Sequence, residues 1–198
     1  MVSIYRQIVT PPAVPLVVTS TELENHARAK GQPANQLEPY LYAAQNWLET
    51  ISNRKFLSQT WKVYMDRFPD SDRMEIPFGQ LTSVTHVKFT DTGNVQYTFS
   101  PSKYHVTTTR EPGEIVLAYS EDWPSDTLRT VDAVEVQFVC GWANAAAVPV
   151  AIKQAVLMLA AHFYANRENV FVGETSAVDE KEIPFGAMAL MTPWRIYA

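Results

Sequence analysis

Apolar positions in residues 149–170, PVAIKQAVLMLAAHFYANRENV, recur at helical spacing and continue well around the helix. Ile152, Val156, Leu159 and Phe163 mark one face, at the alternating steps of three and four that a helix requires. Leu157, Met158, Ala160, Ala161 and Tyr164 widen that face beyond the stripe of an ordinary surface helix. A helix this apolar needs partners on several sides, supplied by its own chain, by neighbouring subunits, or by both. Pro149 fits its first position, where a missing N–H costs little, and Arg167 sits near its C-terminal end, where a cation meets the helix dipole favourably.

Two shorter helical patterns lie upstream. Thr21 with Glu24 forms a capping-box pair, and Thr19 with Glu22 offers an alternative register. Either starts a short helix over about 22–30, with Gly31 as its left-handed stop. A second helix spans about 36–53, capped by Asn35 with Glu38 in its first turn, and Pro39 falls early enough to be tolerated. Leu37, Leu41, Ala44, Leu48 and Ile51 form its apolar face, and Tyr40 and Trp47 widen it. Helices joined by so few residues pack as antiparallel neighbours.

After Asn53 the period changes from 3.6 to two. Trp61, Val63 and Met65 alternate, as do Tyr104 with Val106 and Val134, Val136 with Phe138. Val87 and Phe89 approach the turn Asp91-Thr92-Gly93-Asn94, and Val95, Tyr97 and Phe99 leave it. This is the clearest hairpin, with Gly93 expected to supply the positive φ of the turn. Short strands separated by Gly/Pro turns such as Glu111-Pro112-Gly113 predict a small antiparallel sandwich or barrel. The expected fold class is therefore α+β: a small helical bundle with an inserted antiparallel β-sandwich or barrel-like region. An inserted region needs ends that lie close in space.

The expected organisation has five parts. Residues 1–18, with Pro11, Pro12 and Pro15, form an extended arm, read either as a strand on its own domain or as an arm reaching a neighbour. Residues 19–58 and 144–170 make the helical framework, and 59–143 the β region. The tail, 171–198, begins with an acidic, exposed and mobile stretch over 174–182. It ends in the apolar run IPFGAMALMTPWRIYA, which must dock on its own core or on a partner.

Composition narrows the function. The 198 residues carry a formal net charge of −5, against a protein that grips bare nucleic acid through a basic face. Cys140 is the only cysteine, so there is no disulfide framework, and its place on a strand suits a small buried hydrophobe. No signal-peptide pattern or membrane-length apolar run appears, which predicts an intracellular chain with no membrane contact. His26, His86, His105 and His162 have no metal-ligand spacing, and there is no nucleophile elbow or phosphate loop. No catalytic, metal-binding or cofactor-binding residue is assigned. Glu121, Asp122 and Asp126 surround Trp123. A hydrolase-like carboxylate pair at Glu121 and Asp126 is one reading; a solvated acidic loop is the simpler one.

Two pieces suit an interface. Tyr164, Asn166, Arg167 and Glu168 end the long helix, where an arginine fork serves a partner or the helix satisfies its own carbonyls. Pro193, Trp194 and Arg195 close the chain, and Trp with Arg is common hot-spot material; the alternative is a tail that seals the core.

The order of segments resembles a known family. VTSTELENHARA, LEPYLYAAQNWLETISNRKFLSQTWKVYMDRFP, IPFGQLTSVTHVKFTDTGN, VPVAIKQAVLMLAAHFYANRENV and IPFGAMALMTPWRIY follow one another as in the phage head–tail connector family of gp6-like and gp8-like head-completion adaptors. The resemblance covers nearly the whole chain. It implies a non-enzymatic virion protein of a phage or prophage at the head–tail interface, present in the host cytoplasm during assembly. Such a protein forms a ring, a dodecamer on the portal, beneath which it offers the docking surface for a tail or stopper protein. DNA would pass through the channel without specific binding. The implied interface residues are Trp47 and Arg54 at the helix-to-β junction, with Tyr164, Asn166, Arg167, Glu168, Pro193, Trp194 and Arg195. The competing reading is a ligand- or glycan-binding module that uses the β region.

Overall fold

The structure is a computed structural model and describes residues 4–124, 127–166, 170–172, 178–180 and 185–197. The chain has an α+β fold made of two compact units. The β unit comprises residues 1–15, 53–143 and 196–198, and the helical unit comprises 16–52 and 144–195.

In the β unit, strands β1 (Ile4–Thr10), β2 (Gln59–Met65), β4 (Leu81–Thr90), β5 (Gln96–Phe99) and β8 (Val134–Cys140) form one antiparallel sheet in the order β1-β2-β8-β4-β5. Strands β3 (Arg73–Glu75), β6 (Tyr104–Thr107) and β7 (Glu114–Leu117) form a second sheet, ordered β3-β7-β6. The alternation seen in the sequence places Val63, Val87, Val134, Val136 and Phe138 of the first sheet in one core cluster with Met74, Ile115 and Tyr104 of the second. Among the described residues, the strand order of the larger sheet runs from an unpaired edge at β1 to an unpaired edge at β5, so these strands form an open sheet rather than a closed barrel.

The β4–β5 turn corrects one expectation. Asn94, not Gly93, carries the positive φ, at 60°. Asparagine tolerates this conformation, and Asp91 fixes the turn by accepting from the Val95 N–H at 2.9 Å.

The helical unit contains α1 (Ser20–His26), α2 (Ala34–Ser52), α3 (Val150–Ala165) and α4 (Phe185–Met191), and also the short strands β9 (Val170–Val172) and β10 (Val178–Glu180), which pair with each other. Thr19 caps α1 through a capping box with Glu22, the second of the two registers. Glu24 instead accepts from the Gly31 N–H at 2.8 Å. Pro149 stands one residue outside α3, with ψ 139°. On α3, Ile152, Ala155, Val156, Leu159 and Ala160 are buried, while Phe163 is half-buried. α3 packs against α1, α2 and α4, which covers most of the apolar circumference noted in the sequence. The chain's apolar end folds back as α4, with Ala187 and Met191 buried. Gly186 lies at its close approach to α3, where a Cβ would stand 2.6 Å from Met158 Cε. Much of the acidic stretch 174–182 lies outside the described residues.

Candidate interaction surfaces

The helical unit holds most of the residues singled out from the sequence. Trp47 is half-buried on α2. Tyr164, near the end of α3, meets Tyr40 of α2 edge to face, with ring centroids 5.6 Å apart. Such an aromatic pair ties the two helices together beyond its buried area. Asn166 caps α3: its backbone N–H and its side-chain Nδ2 both donate to the His162 carbonyl, at 2.9 and 3.0 Å. The helix end therefore satisfies one of its own carbonyls twice. Arg167 and Glu168 lie outside the described residues. Pro193 and Trp194 sit in the short turn Thr192–Trp194, which Thr192 anchors to α4 by donating to the Met188 carbonyl at 3.0 Å. Pro193 is exposed, whereas Trp194 and Arg195 are half-buried.

Arg54 belongs to the β unit and is 3% exposed. Its guanidinium forms a two-pronged pair with Glu111, one bond measuring 2.8 Å, and lies 5.8 Å from the Trp142 ring centre. The hydrogen bonds from Arg54 hold the Glu111 carboxyl below its ordinary range, against the opposing effect of burial. Gly79 borders the same site. A Cβ there would stand 2.4 Å from Ile196 Cδ1 and 2.7 Å from the Arg54 guanidinium. Its neighbours Phe78 and Gln80 both have positive φ, 74° and 61°, which costs about 1–3 kcal/mol each. Surrounding contacts hold the loop in place. Arg6 and Lys55 both lie about 5.1 Å from the Phe78 ring centre, and Trp61 packs on that ring at 4.9 Å.

A second network escapes the sequence pattern. On the polar face of the larger sheet, Glu135 Oε1 accepts from Lys62 Nζ at 2.9 Å and meets His86 Nε2 at 2.9 Å. Burial alone would raise the Glu135 pKa, but the bonds from Lys62 and His86 outweigh it and hold the carboxyl low. The Lys62 ammonium is raised in return, chiefly by its bond to Glu135. Three adjacent strands contribute one residue each. Only the register of β2-β8-β4 brings them together, and alternation along one strand does not reveal it.

The edges of this sheet carry part of the exposed apolar surface. All seven β1 residues are exposed, among them Ile4, Tyr5, Ile8 and Val9. Beside β5, a cavity of about 490 Å³ is lined by Phe89, Thr98, Phe99, Lys103, Glu121, Asp122 and Trp123, among others. Trp123 stacks on Phe68 at 5.1 Å and donates to the Ser71 carbonyl at 2.7 Å. Glu121 pairs with Lys103 at 2.9 Å, and Asp126 lies outside the described residues. Among the described residues, no three His, Cys, Asp or Glu side chains gather to hold a metal ion, and no helix is long and apolar enough to cross a membrane.

The fold is shared with chains of gene transfer agent particles. One is a chain in the virion of the native gene transfer agent particle, 22% identical, matched over 98% of this chain and 96% of that one with a TM-score of 0.75. A second is in the neck of the empty particle computed with C6 symmetry, 23% identical over 98% and 96%, with a TM-score of 0.76. A third is in the neck of the native particle computed with C12 symmetry, 23% identical over 97% and 96%, with a TM-score of 0.69. No protein-family model and no curated protein matches the chain. The likeness spans both units.

Proposed function

We propose that this chain is a structural head–tail connector of a tailed phage, a prophage or a phage-like particle. In this reading it forms a ring beneath the portal, offers the docking surface for a tail or stopper protein, and performs no catalysis. The observation that carries the proposal is the fold shared with neck chains over nearly the full length of both partners. The C6 and C12 symmetry of those necks favours a ring of twelve copies here. A ring of identical copies joins two different faces of each subunit, and this chain has exposed apolar surface for such faces. The formal charge of −5 suits a channel that DNA crosses without sticking; tight DNA retention by the assembled ring at physiological salt would contradict that role.

The proposed contact residues are Trp47, Tyr164, Asn166, Arg167 and Glu168 in one group and Pro193, Trp194 and Arg195 in another. Arg54 contributes from its buried pair by holding the 78–80 loop in place. The direct test is electron microscopy of the chain mixed with its cognate portal. Twelve copies seated on the portal are expected, and failure to bind it would overturn the proposal. Deleting residues 183–198 separates the roles of the tail: weakened portal binding at retained stability marks a contact, whereas lost stability with unchanged binding marks an internal seal.

A further inference from the structure

Among the described residues, β1 pairs only with β2 and β5 only with β4, so the larger sheet ends in two open edges. Open edges invite strand addition unless charge, proline or cover protects them. β1 is seven residues long, IYRQIVT, with Arg6 as its one charged residue. Tyr5 is 61% exposed and Ile4 49%, a large outlay of apolar surface on an edge. At the other end, Val95 and Tyr97 are about half exposed, at 50% and 45%.

The two edges match in facing. Ile4, Arg6 and Ile8 share a face with Val63 and Met65. Val63 pairs with Val136, Val136 with Val87, and Val87 with Phe99. The Ile4-Arg6-Ile8 row and the Tyr97-Phe99 row therefore lie on one side of the sheet. Phe99 of that row also lines the 490 Å³ cavity, whose wall carries Asp122 together with the Lys103–Glu121 pair. The edges also match in charge. Arg6 has no carboxylate partner among the described residues, its cation resting over Phe78. Asp122 is exposed at the opposite edge.

We infer that β1 of one copy adds to the β5 edge of the next, continuing the sheet from subunit to subunit, with Ile4 and Ile8 over the cavity mouth and Arg6 facing Asp122 and Glu121. The occupant of the β5 edge is thus a second copy of this chain. This rests on the ring reading above, because a head-to-tail contact between two different edges closes only in a ring. Main-chain bonds supply the affinity of strand addition and the side-chain row supplies its register.

The test uses the full chain assembled with its portal and compares wild type, Arg6→Glu and the exchanged pair Arg6→Glu with Asp122→Arg. Placing like charges in every subunit contact should raise the concentration for half-assembly at least about tenfold, and the exchange should recover most of the loss. Arg6→Glu rings that assemble as wild type does, or an exchange that rescues nothing, would overturn the inference. A second measurement does not depend on charge. Gln7→Cys and Thr98→Cys in one chain, treated with a short bis-maleimide, should give a ladder of linked subunits, while either single variant gives none; Cys140 is buried and stays silent. Absence of that ladder in intact wild-type-like rings would sink strand addition and leave the connector reading standing. Absence of wild-type rings on the portal would remove both.

Discussion

The β unit draws charged side chains inward and pairs them. Arg54 lies buried against Glu111 and Trp142, and Glu135 is shared by Lys62 and His86. In the helical unit the buried positions are nearly all aliphatic or small, and its few buried polar groups, Gln45, Glu49 and Ser52, bond within α2 or to nearby backbone, Gln45 donating to Glu49 one turn on at 3.4 Å. Gln45 accepts from the Val17 N–H at 3.0 Å, and Ser52 donates to the Leu48 carbonyl at 2.6 Å. The difference follows from the elements. A helix satisfies its interior backbone by itself and can pack through whatever apolar surface it presents. A sheet depends on register, so cross-strand pairs that fix the register have a purpose there. The β unit should therefore tolerate change poorly at its pairs and close approaches, and the helical unit should give way at comparable places.

The largest effect should come from the centre of the β core. Phe138 is fully buried on the middle strand, and Phe138→Ala should cost about 3–5 kcal/mol, read as a lower urea midpoint at unchanged slope. Next comes the buried pair. Glu111→Gln leaves Arg54 without its counter-charge and should cost about 1–3 kcal/mol, discounted because Glu111 is itself 36% exposed. The double replacement Arg54→Met with Glu111→Leu should lie well above the single variant in stability. If it is equally unstable, the pair is not what holds this site.

Gly79→Ala should cost about 1–3 kcal/mol, since its Cβ meets Arg54 and Ile196 within the core. Gly186→Ala makes the opposite case, although its nearest contact is almost as short. It meets only the end of the flexible Met158 side chain, and alanine gains about 1 kcal/mol of helix propensity within α4. Melting temperatures should fall for the first and hold or rise for the second. The reverse order would break the contrast between a stiff β unit and a yielding helical one.

The acid response is the subtlest difference. The folded-state pKa values of Glu111 and Glu135 lie below the ordinary 4.5. Each group therefore stabilises the fold above that value, and the contribution is lost as pH falls from about 4.5 through the depressed folded values. Glu135→Gln should flatten this acid limb of the stability curve, as should Glu111→Gln; Glu135→Gln should also flatten the alkaline limb, because it removes the bond that raises Lys62 and with it stability otherwise lost as pH rises through the Lys62 range.

Much of the helical unit was legible because periodicity and burial coincide in it. The α3 face at Ile152, Val156 and Leu159 follows directly from spacing, as do Leu37, Leu41 and Leu48 on α2. Helix ends were less legible: the α1 cap had two registers, and Pro149 stands just outside α3 rather than within it. The β strands were recognisable by alternation, but their partners were not. Arg54 and Glu111 are separated by 57 positions, and no local pattern connects them. The β5 cavity is equally hidden, because its wall comes from separate strands and loops. Among the residues expected at an interface, burial distinguishes Arg54, which pairs inside its unit, from exposed Pro193.

Cys140 ends the central strand and is fully buried. A thiol enclosed in that way reacts only when its surroundings open. Its alkylation rate is thus an intrinsic clock for the opening of the β unit. The helical unit contains no cysteine to confuse the signal. The same chain can therefore be followed free, in a ring and on its portal, with no label added, and any slowing of the clock reports how far assembly locks the β unit shut.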